Sequence, residues 1–277
     1  MLDVRTVTKK FGSVTAVNGL SFSTSAPQII GIIGRSGAGK STFLRMMNRM
    51  TDASEGAILV DGTDVLSLKG RAKAGWQRTC AMIFQQFNLV PRLDVITNVI
   101  LGRLNQQSVL RSSLMFFTRE ERLEALALLD RFGVAETALQ RAETLSGGQQ
   151  QRVAICRAMM QQPRFILADE PIASLDPLNA RLVMEALHQI NREEKITIIC
   201  NLHTLDTART YCDRVIGMRA GEKVFDDAAE ALTDAQAREI YGAEADAAFE
   251  GSVTSTSLSG PGKRAEPRRV AATVGGH

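Results

Sequence analysis

A glycine-rich segment at residues 34–41 has the residue types and the spacing of a phosphate-binding loop. It fits the pattern G-x-x-x-x-G-K-[ST] in full. Glycines let backbone N–H groups turn towards an anion, and a following helix directs its positive end at the phosphates. Lys40 is expected to reach the β- and γ-phosphates of ATP, and Ser41 to coordinate Mg²⁺. The candidate nucleotide-binding residues here are Gly34, Arg35, Ser36, Gly37, Ala38, Gly39, Lys40, Ser41 and Thr42.

Two consecutive carboxylates, Asp169 and Glu170, follow the apolar segment Phe165–Ala168. A buried strand would place both at its carboxyl end, where ligands bind in open α/β sheets. We expect Asp169 to hold the Mg²⁺ shell and Glu170 to polarise the attacking water as general base. The alternative is that Glu170 only caps the next turn. Because the same chain contains a complete phosphate loop, the catalytic interpretation of Glu170 is favoured.

A third motif, Leu145-Ser-Gly-Gly-Gln149, precedes the helical run Gln150–Met160 and resembles the signature of ABC ATPases. A helix N-terminus at this point is itself an anion site. The resemblance extends from Met1 to about Gly242. It implies that each ATP lies between the phosphate loop of one subunit and the signature of a second copy of the chain. Further candidate nucleotide contacts are therefore Ser146, Gly147, Gly148 and Gln149.

Other positions acquire roles only through this resemblance. Gln85 resembles the glutamine that contacts Mg²⁺ and the attacking water, although the adjacent Gln86 leaves a one-residue ambiguity. His203 resembles the switch histidine that contacts the γ-phosphate, and Ser174–Asp176 resembles the loop that communicates across the dimer. Phe11 occupies the position of an aromatic residue that stacks on adenine, with a core aromatic as the alternative.

The order of predicted elements indicates how these residues are positioned. Met1 to about Phe84 is interpreted as mainly strands, with helical periodicity beginning at Lys40. Residues from about Arg119 to Phe132 read as a helix, with Thr118 and Glu121 as a capping box. Its apolar side is expected to contain Leu123, Leu126, Leu129 and Phe132. From Phe165 onward, a β–α–β rhythm predicts a parallel sheet with helices on both faces.

The fold class implied is α/β: a P-loop NTPase (RecA-like) core with an antiparallel β subdomain and an inserted α-helical subdomain. We expect the nucleotide-binding domain to span 1–242, with the helical insertion at about 86–160. Residues 251–277 are rich in Ser, Thr, Gly and Pro, which predicts a disordered tail within 243–277.

Composition narrows the functional class. The 277 residues include 44% hydrophobic residues but no apolar run of about 18, the length that would span a membrane. The beginning of the chain lacks a signal-peptide pattern, so a cytoplasmic location is expected. Much of the net charge of +3 comes from the tail, which leaves the rest of the chain nearly neutral. Nucleic acid is therefore not an expected partner. The four scattered cysteines are expected to be reduced and buried.

A finer resemblance is to the ATPase subunits of phosphonate importers. It rests on IFQQFNLV at 83–90, on LDVITNVILGRL at 93–104, and on the Asn-Leu-His form at Asn201–His203. It implies integral-membrane permease subunits, a periplasmic binding protein as an indirect partner, and a peripheral position on the cytoplasmic face of the bacterial inner membrane. An importer ATPase for phosphate, phosphite or polar amino acids is an alternative, and a soluble non-transport ABC ATPase is another.

Overall fold

The computed structural model describes residues 1–106 and 115–242. The predicted tail at 243–277 lies outside the described residues, and so do positions 107–114 of the predicted insertion. The strands are β1 (Leu2–Phe11), β2 (Val14–Thr24), β3 (Ile29–Ile33), β4 (Glu55–Val60), β5 (Thr63–Asp64), β6 (Cys80–Ile83), β7 (Phe165–Asp169), β8 (Thr197–Asn201), β9 (Arg214–Arg219) and β10 (Glu222–Ala228). The helices are α1 (Lys40–Met47), α2 (Gly70–Thr79), α3 (Val95–Ile100), α4 (Arg119–Arg131), α5 (Gly147–Met160), α6 (Pro177–Glu194), α7 (Leu205–Tyr211) and α8 (Asp234–Tyr241).

The described strands near the amino terminus form an antiparallel sheet in the order β2-β1-β4-β5. Val4 pairs with Phe22 on one side and with Ile58 on the other, and all three are buried. Val14 is 63% exposed because it lies at the tip of the β1–β2 hairpin, beyond the buried part of the sheet. This sheet is the antiparallel β subdomain that the resemblance implied.

The second sheet has the order β10-β9-β3-β8-β7-β6 among the described strands. All of its neighbouring strands are parallel except the pair β9 and β10. Strand β3 is buried along its whole length. Ile29 and Ile33 pack into one core and Ile30 and Ile32 into the other, as expected for side chains that alternate across a sheet. The predicted parallel sheet, covered on both faces, is confirmed.

The helices α3, α4 and α5 lie between β6 and β7 in the chain, although these two strands are paired neighbours in the sheet. Buried residues of all three helices join the core on the Ile29 side of the sheet. The inserted α-helical part of the predicted fold class is therefore present. The capping box of Thr118 and Glu121 at the start of α4 is also confirmed.

Two details of the sequence interpretation were wrong. Helix α2 lies within the region interpreted mainly as strands, and its only buried residue is Trp76, so it lacks an apolar periodicity. On α4, Leu129 is buried, but Leu123 and Leu126 are 55% and 37% exposed. Steps of three residues rotate about 60° short of a full turn, so these leucines do not share one face.

Candidate nucleotide-binding and hydrolysis site

The phosphate loop joins the carboxyl end of β3 to the start of α1. Its backbone requires glycine at both ends. A Cβ atom at Gly34 would lie 2.1 Å from the Met218 oxygen, and one at Gly39 would lie 2.2 Å from the Ala16 oxygen. Gly39, with φ of 99°, precedes α1 and offers no side chain to cap it. The first N–H groups of α1 are thus free of a competing side-chain cap and suited to an anion.

Lys40 lies inside this loop with its ammonium group directed at the loop backbone. Its Nζ donates to the Gly34 oxygen at 2.6 Å and to the Arg35 oxygen at 3.1 Å. Burial lowers the pKa of Lys40, while the carboxylates of Glu170 and Asp169 oppose that change. The other residues of the predicted loop differ in solvent exposure. Arg35, Ser36 and Gly37 are exposed, Ala38 is buried, and Ser41 and Thr42 are half-buried.

Ser41 and Asp169 come together where α1 meets the end of β7. The Ser41 Oγ donates to Asp169 Oδ1 at 2.7 Å. Asn201 Nδ2 donates to the same oxygen at 2.7 Å, because Asp169 and Asn201 are opposite each other at the ends of β7 and β8. A hydroxyl and a carboxylate are hard oxygen donors of the kind Mg²⁺ prefers, so this donor set fits the ion.

Glu170 and His203 form a second pair at the same edge of the sheet. His203 Nε2 lies 2.6 Å from Glu170 Oε1. Glu170 has a left-handed backbone with φ of 54°, which directs its side chain away from the run of β7. The Glu170 side chain is 19% exposed and that of His203 is 44% exposed. Both groups can therefore reach a ligand beside the phosphate loop.

Gln85 follows β6 and is exposed. It lines a cavity of about 470 Å³ together with Asp169, so the candidate glutamine and the candidate metal-ligating carboxylate face the same cavity. Gln86 lines the same cavity, so the cavity does not distinguish Gln85 from Gln86.

Phe11, the candidate adenine-stacking residue, is 52% exposed at the tip of the β1–β2 hairpin, and Lys9 Nζ lies 4.7 Å from its ring centroid. The alternative of a core aromatic is wrong for Phe11.

The signature motif begins α5. Ser146 is the N-cap: its hydroxyl accepts from the Gln149 amide, and the Gln149 side chain accepts from the Ser146 amide. A Cβ atom at Gly148 would lie 2.1 Å from Asn179 Oδ1, and one at Gly147 would lie 3.4 Å from Leu175 Cδ2. The signature therefore packs on the loop containing Ser174–Asp176, where Asp176 caps α6.

The segment after Gln85 has an unusual backbone that the sequence interpretation missed. Phe87 and Asn88 both have left-handed φ values, of 57° and 51°. Arg157, on α5, donates from Nη2 to the Phe87 oxygen at 2.7 Å and from Nη1 to the Asn88 oxygen at 2.5 Å. Burial lowers the pKa of the Arg157 guanidinium. The signature helix thus holds the glutamine segment in place through Arg157.

Asn98 and Asn201 were also missed as supporting residues. Asn98 is fully buried, and its side chain exchanges hydrogen bonds with the Val90 backbone. Asn201 belongs to the Asn-Leu-His motif, but only the pairing of β7 with β8 places it on Asp169. Leu202, in the same motif, is buried beneath β3, close to the position that a Cβ at Gly31 would occupy.

The chain is similar in sequence to known proteins. The family model described as "ABC transporter" matches residues 17–173. "Phosphonates import ATP-binding protein PhnC" of Rhizobium meliloti (strain 1021) is 60% identical over 99% of this chain and 97% of its own. The protein of that name from Agrobacterium fabrum is 56% identical over 98% of this chain and 96% of its own length.

Solved structures agree with these sequence relatives. The dimeric post-hydrolysis state of the ATP-binding cassette MJ0796, bound to ADP and Pi, has a TM-score of 0.73 at 30% identity and covers 84% of this chain and 100% of its own. A nucleotide-free ATP-binding cassette from an ABC transporter has a TM-score of 0.75 at 25% identity, covering 87% and 94%. With the phosphate loop, the paired carboxylates and the signature in one fold, the chain belongs to the ABC transporter family as an ATP-binding cassette.

Proposed function

We propose that this chain hydrolyses ATP to energise the import of phosphonates through separate membrane subunits. The observation that supports this most strongly is identity of 55–60% with phosphonates import ATP-binding proteins over most of both chains. The site geometry supports ATP hydrolysis independently of those names. The phosphonate itself rests on the relatives alone, because the catalytic residues contact nucleotide and not the transported solute.

The phosphates of ATP bind to the loop from Gly34 to Thr42. Lys40 exchanges its contacts with the Gly34 and Arg35 oxygens for the terminal phosphates, and its buried position strengthens that attraction. Ser41, Asp169 and Gln85 would hold Mg²⁺, which neutralises charge on the phosphates when bound. Phe11, exposed at the hairpin tip, offers its ring for stacking on adenine.

Hydrolysis requires a base beside the γ-phosphate. Glu170 accepts the proton of the attacking water as the water oxygen bonds to the γ-phosphorus and the bond to ADP breaks. His203 Nε2, at 2.6 Å from the same carboxylate, orients Glu170 and is within reach of the terminal phosphate. Asn201 keeps Asp169 directed at Ser41, so the roles of the two neighbouring carboxylates stay separate.

A second copy of the chain completes the site. Ser146, Gly147, Gly148 and Gln149 begin α5 with N–H groups that can receive the γ-phosphate of the ATP bound by the other copy. The dimeric state of the similar cassette MJ0796 supports this arrangement.

The domain boundaries are part of the proposal as well. We propose a nucleotide-binding domain over 1–242, with a helical insertion at about 86–160, and a tail over 243–277.

The remaining partners follow from the proposed import function. They are permease subunits in the inner membrane and, indirectly, a periplasmic binding protein, with this chain on the cytoplasmic face. In the described residues, no helix is long and apolar enough to cross a membrane. A transport pathway in other polypeptides is consistent with that finding.

Growth of the source bacterium on a phosphonate as sole phosphorus source tests the proposal. Deletion of the gene should abolish this growth, and the wild-type gene should restore it. The Lys40→Ala gene should fail to restore it, because the loop loses its main counter-charge to the phosphates. Growth on phosphate serves as the control. A deletion strain that grows on phosphonate but fails on phosphite or a polar amino acid would favour an importer of that other solute.

A further inference from the structure

The hydroxyl group of Tyr241 lies between the phosphate loop and the loop that contains His203. It donates a hydrogen bond of 3.1 Å to the backbone oxygen of His203. Burial raises the pKa of Tyr241 to about 12, and a hydrogen bond from the Gly34 backbone opposes that rise. The hydroxyl therefore remains protonated at neutral pH and able to donate. One buried side chain therefore holds the backbone beside the candidate catalytic histidine.

Helix α8, which carries Tyr241, is firmly fixed to the parallel sheet. Thr233 and Gln236 form a capping box at its start. Arg219, at the end of β9, donates to the Glu239 oxygen at 2.9 Å. Ile240 packs so tightly on β9 that a Cβ at Gly217 would lie 2.5 Å from its Cδ1. Tyr241 is only 4% exposed and is therefore held in one place.

His203 depends on its backbone for its direction. It lies between the end of β8 at Asn201 and the start of α7 at Leu205. Its side chain is 44% exposed, so packing alone does not fix the imidazole. A hydrogen bond to its carbonyl oxygen from a rigid helix restricts that backbone. The Gly34 backbone, at the start of the phosphate loop, lowers the pKa of the same hydroxyl against the effect of burial.

We propose that Tyr241 is a positioning residue for ATP hydrolysis, whose hydroxyl fixes the backbone of His203 so that Nε2 meets Glu170. This inference rests on the catalytic role proposed for His203. Tyr241 contacts neither substrate nor water in this role; it acts through the histidine.

The test compares two tyrosine-to-phenylalanine variants of the full chain. Tyr241→Phe keeps the ring and removes the hydroxyl. Tyr211→Phe is the matched control, since Tyr211 is the other tyrosine of the chain, is 2% exposed, and has a hydroxyl without a hydrogen-bond partner among the described residues. We expect kcat for ATP to fall about tenfold in Tyr241→Phe, the size of one lost positioning hydrogen bond. The Kd for ATP should match that of Tyr211→Phe, and the Tm of Tyr241→Phe should be lower by a few degrees, because the His203 carbonyl loses its hydrogen bond.

Three results would overturn the inference: an unchanged kcat in Tyr241→Phe, an equal fall in Tyr211→Phe, or a fall in kcat accompanied by weaker ATP binding. A double-mutant cycle with His203→Ala gives a further criterion. Tyr241→Phe should cause no additional loss of kcat in the His203→Ala background, and a full additional loss would overturn action through His203. Normal turnover by His203→Ala itself would overturn the proposed role of the histidine. Reduced turnover by His203→Ala with normal turnover by Tyr241→Phe would overturn only the inference about Tyr241.

Discussion

At the scale of single residues, the site separates two adjacent carboxylates by their surroundings. Asp169 is buried and receives hydrogen bonds from Ser41 and Asn201. Glu170 leaves the strand with a left-handed backbone and faces His203. One carboxylate is thus committed to the hydroxyl that would share a metal ion, and the other remains available to a water molecule. Neighbours in sequence acquire different chemistry because one ends the strand and the other leaves it.

Glu170→Gln tests this division of roles. The amide cannot accept the proton of the attacking water, so kcat for ATP should fall by a factor of about 10² or more while ATP still binds. The dimer should accumulate with ATP and Mg²⁺, which gel filtration measures. Glu230→Gln, at an exposed position, is the control. Normal steady-state hydrolysis by Glu170→Gln would show that another residue is the base.

At the scale of elements, the signature helix α5 is joined to the segment after Gln85. Arg157 donates to two consecutive carbonyl oxygens of residues in left-handed conformations. Such conformations are costly for non-glycine residues and persist where the surroundings hold them. Arg157 therefore joins the segment after Gln85 directly to α5 through two hydrogen bonds.

Arg157→Lys should reveal the strength of this connection. Lysine has the charge but cannot reach two carbonyls with a planar fork. We expect the free energy of unfolding to fall by about 2 kcal/mol in urea, from the loss of hydrogen bonds made by a charged group. The matched variant is Arg141→Lys, whose side chain is 66% exposed. Equal stabilities of the two variants would contradict a structural connection through Arg157.

Val90→Asp tests whether the segment from Gln85 to Leu104 receives the membrane subunit. Val90 is 41% exposed and its backbone is fixed by Asn98, so a charge should leave the fold and the basal ATPase intact. Transport in reconstituted vesicles should fall several-fold, because exposed apolar residues in a loop suit a partner surface. Leu89→Asp should instead lower the Tm, since Leu89 packs against the core. Unchanged transport by Val90→Asp would exclude this position from the docking surface.

At the scale of the whole molecule, one chain presents two candidate anion sites, each at the beginning of a different helix. The phosphate loop begins α1, beside the parallel sheet, and the signature begins α5, packed on Leu175 and on Asn179 in the first turn of α6. The dimer proposed above brings the first site of one copy to the second site of the other. ATP bound at this junction would then contact both copies of the chain.

Truncation after Glu250 tests whether the tail is needed for ATP hydrolysis. Its composition lacks the apolar surface needed to offset the entropy of ordering, so it should be dispensable for catalysis. ATPase activity and uptake should both stay within about twofold of the full chain, in line with that entropy argument. This variant keeps Tyr241, which lies later in the chain than the motifs recognised from the sequence. Loss of hydrolysis by the truncated chain would mean that the tail contributes to the site.

The sequence by itself determined the chemistry of the phosphate loop, the carboxylates and the signature, because each depends on residue types at fixed local spacing. It also determined the parallel sheet, since buried strands and helices alternate along the chain. Only the tertiary structure decided that Arg157 holds Phe87 and Asn88, that Asn201 holds Asp169, and that Tyr241 contacts His203. The two residues of each of these contacts are between 32 and 70 positions apart in the sequence. Such contacts arise from strand order and helix packing, which no local pattern records. Helix α2 escaped prediction because it buries only Trp76 and therefore shows no apolar periodicity. The leucines of α4 were placed on one face wrongly, because steps of three residues do not complete a helical turn.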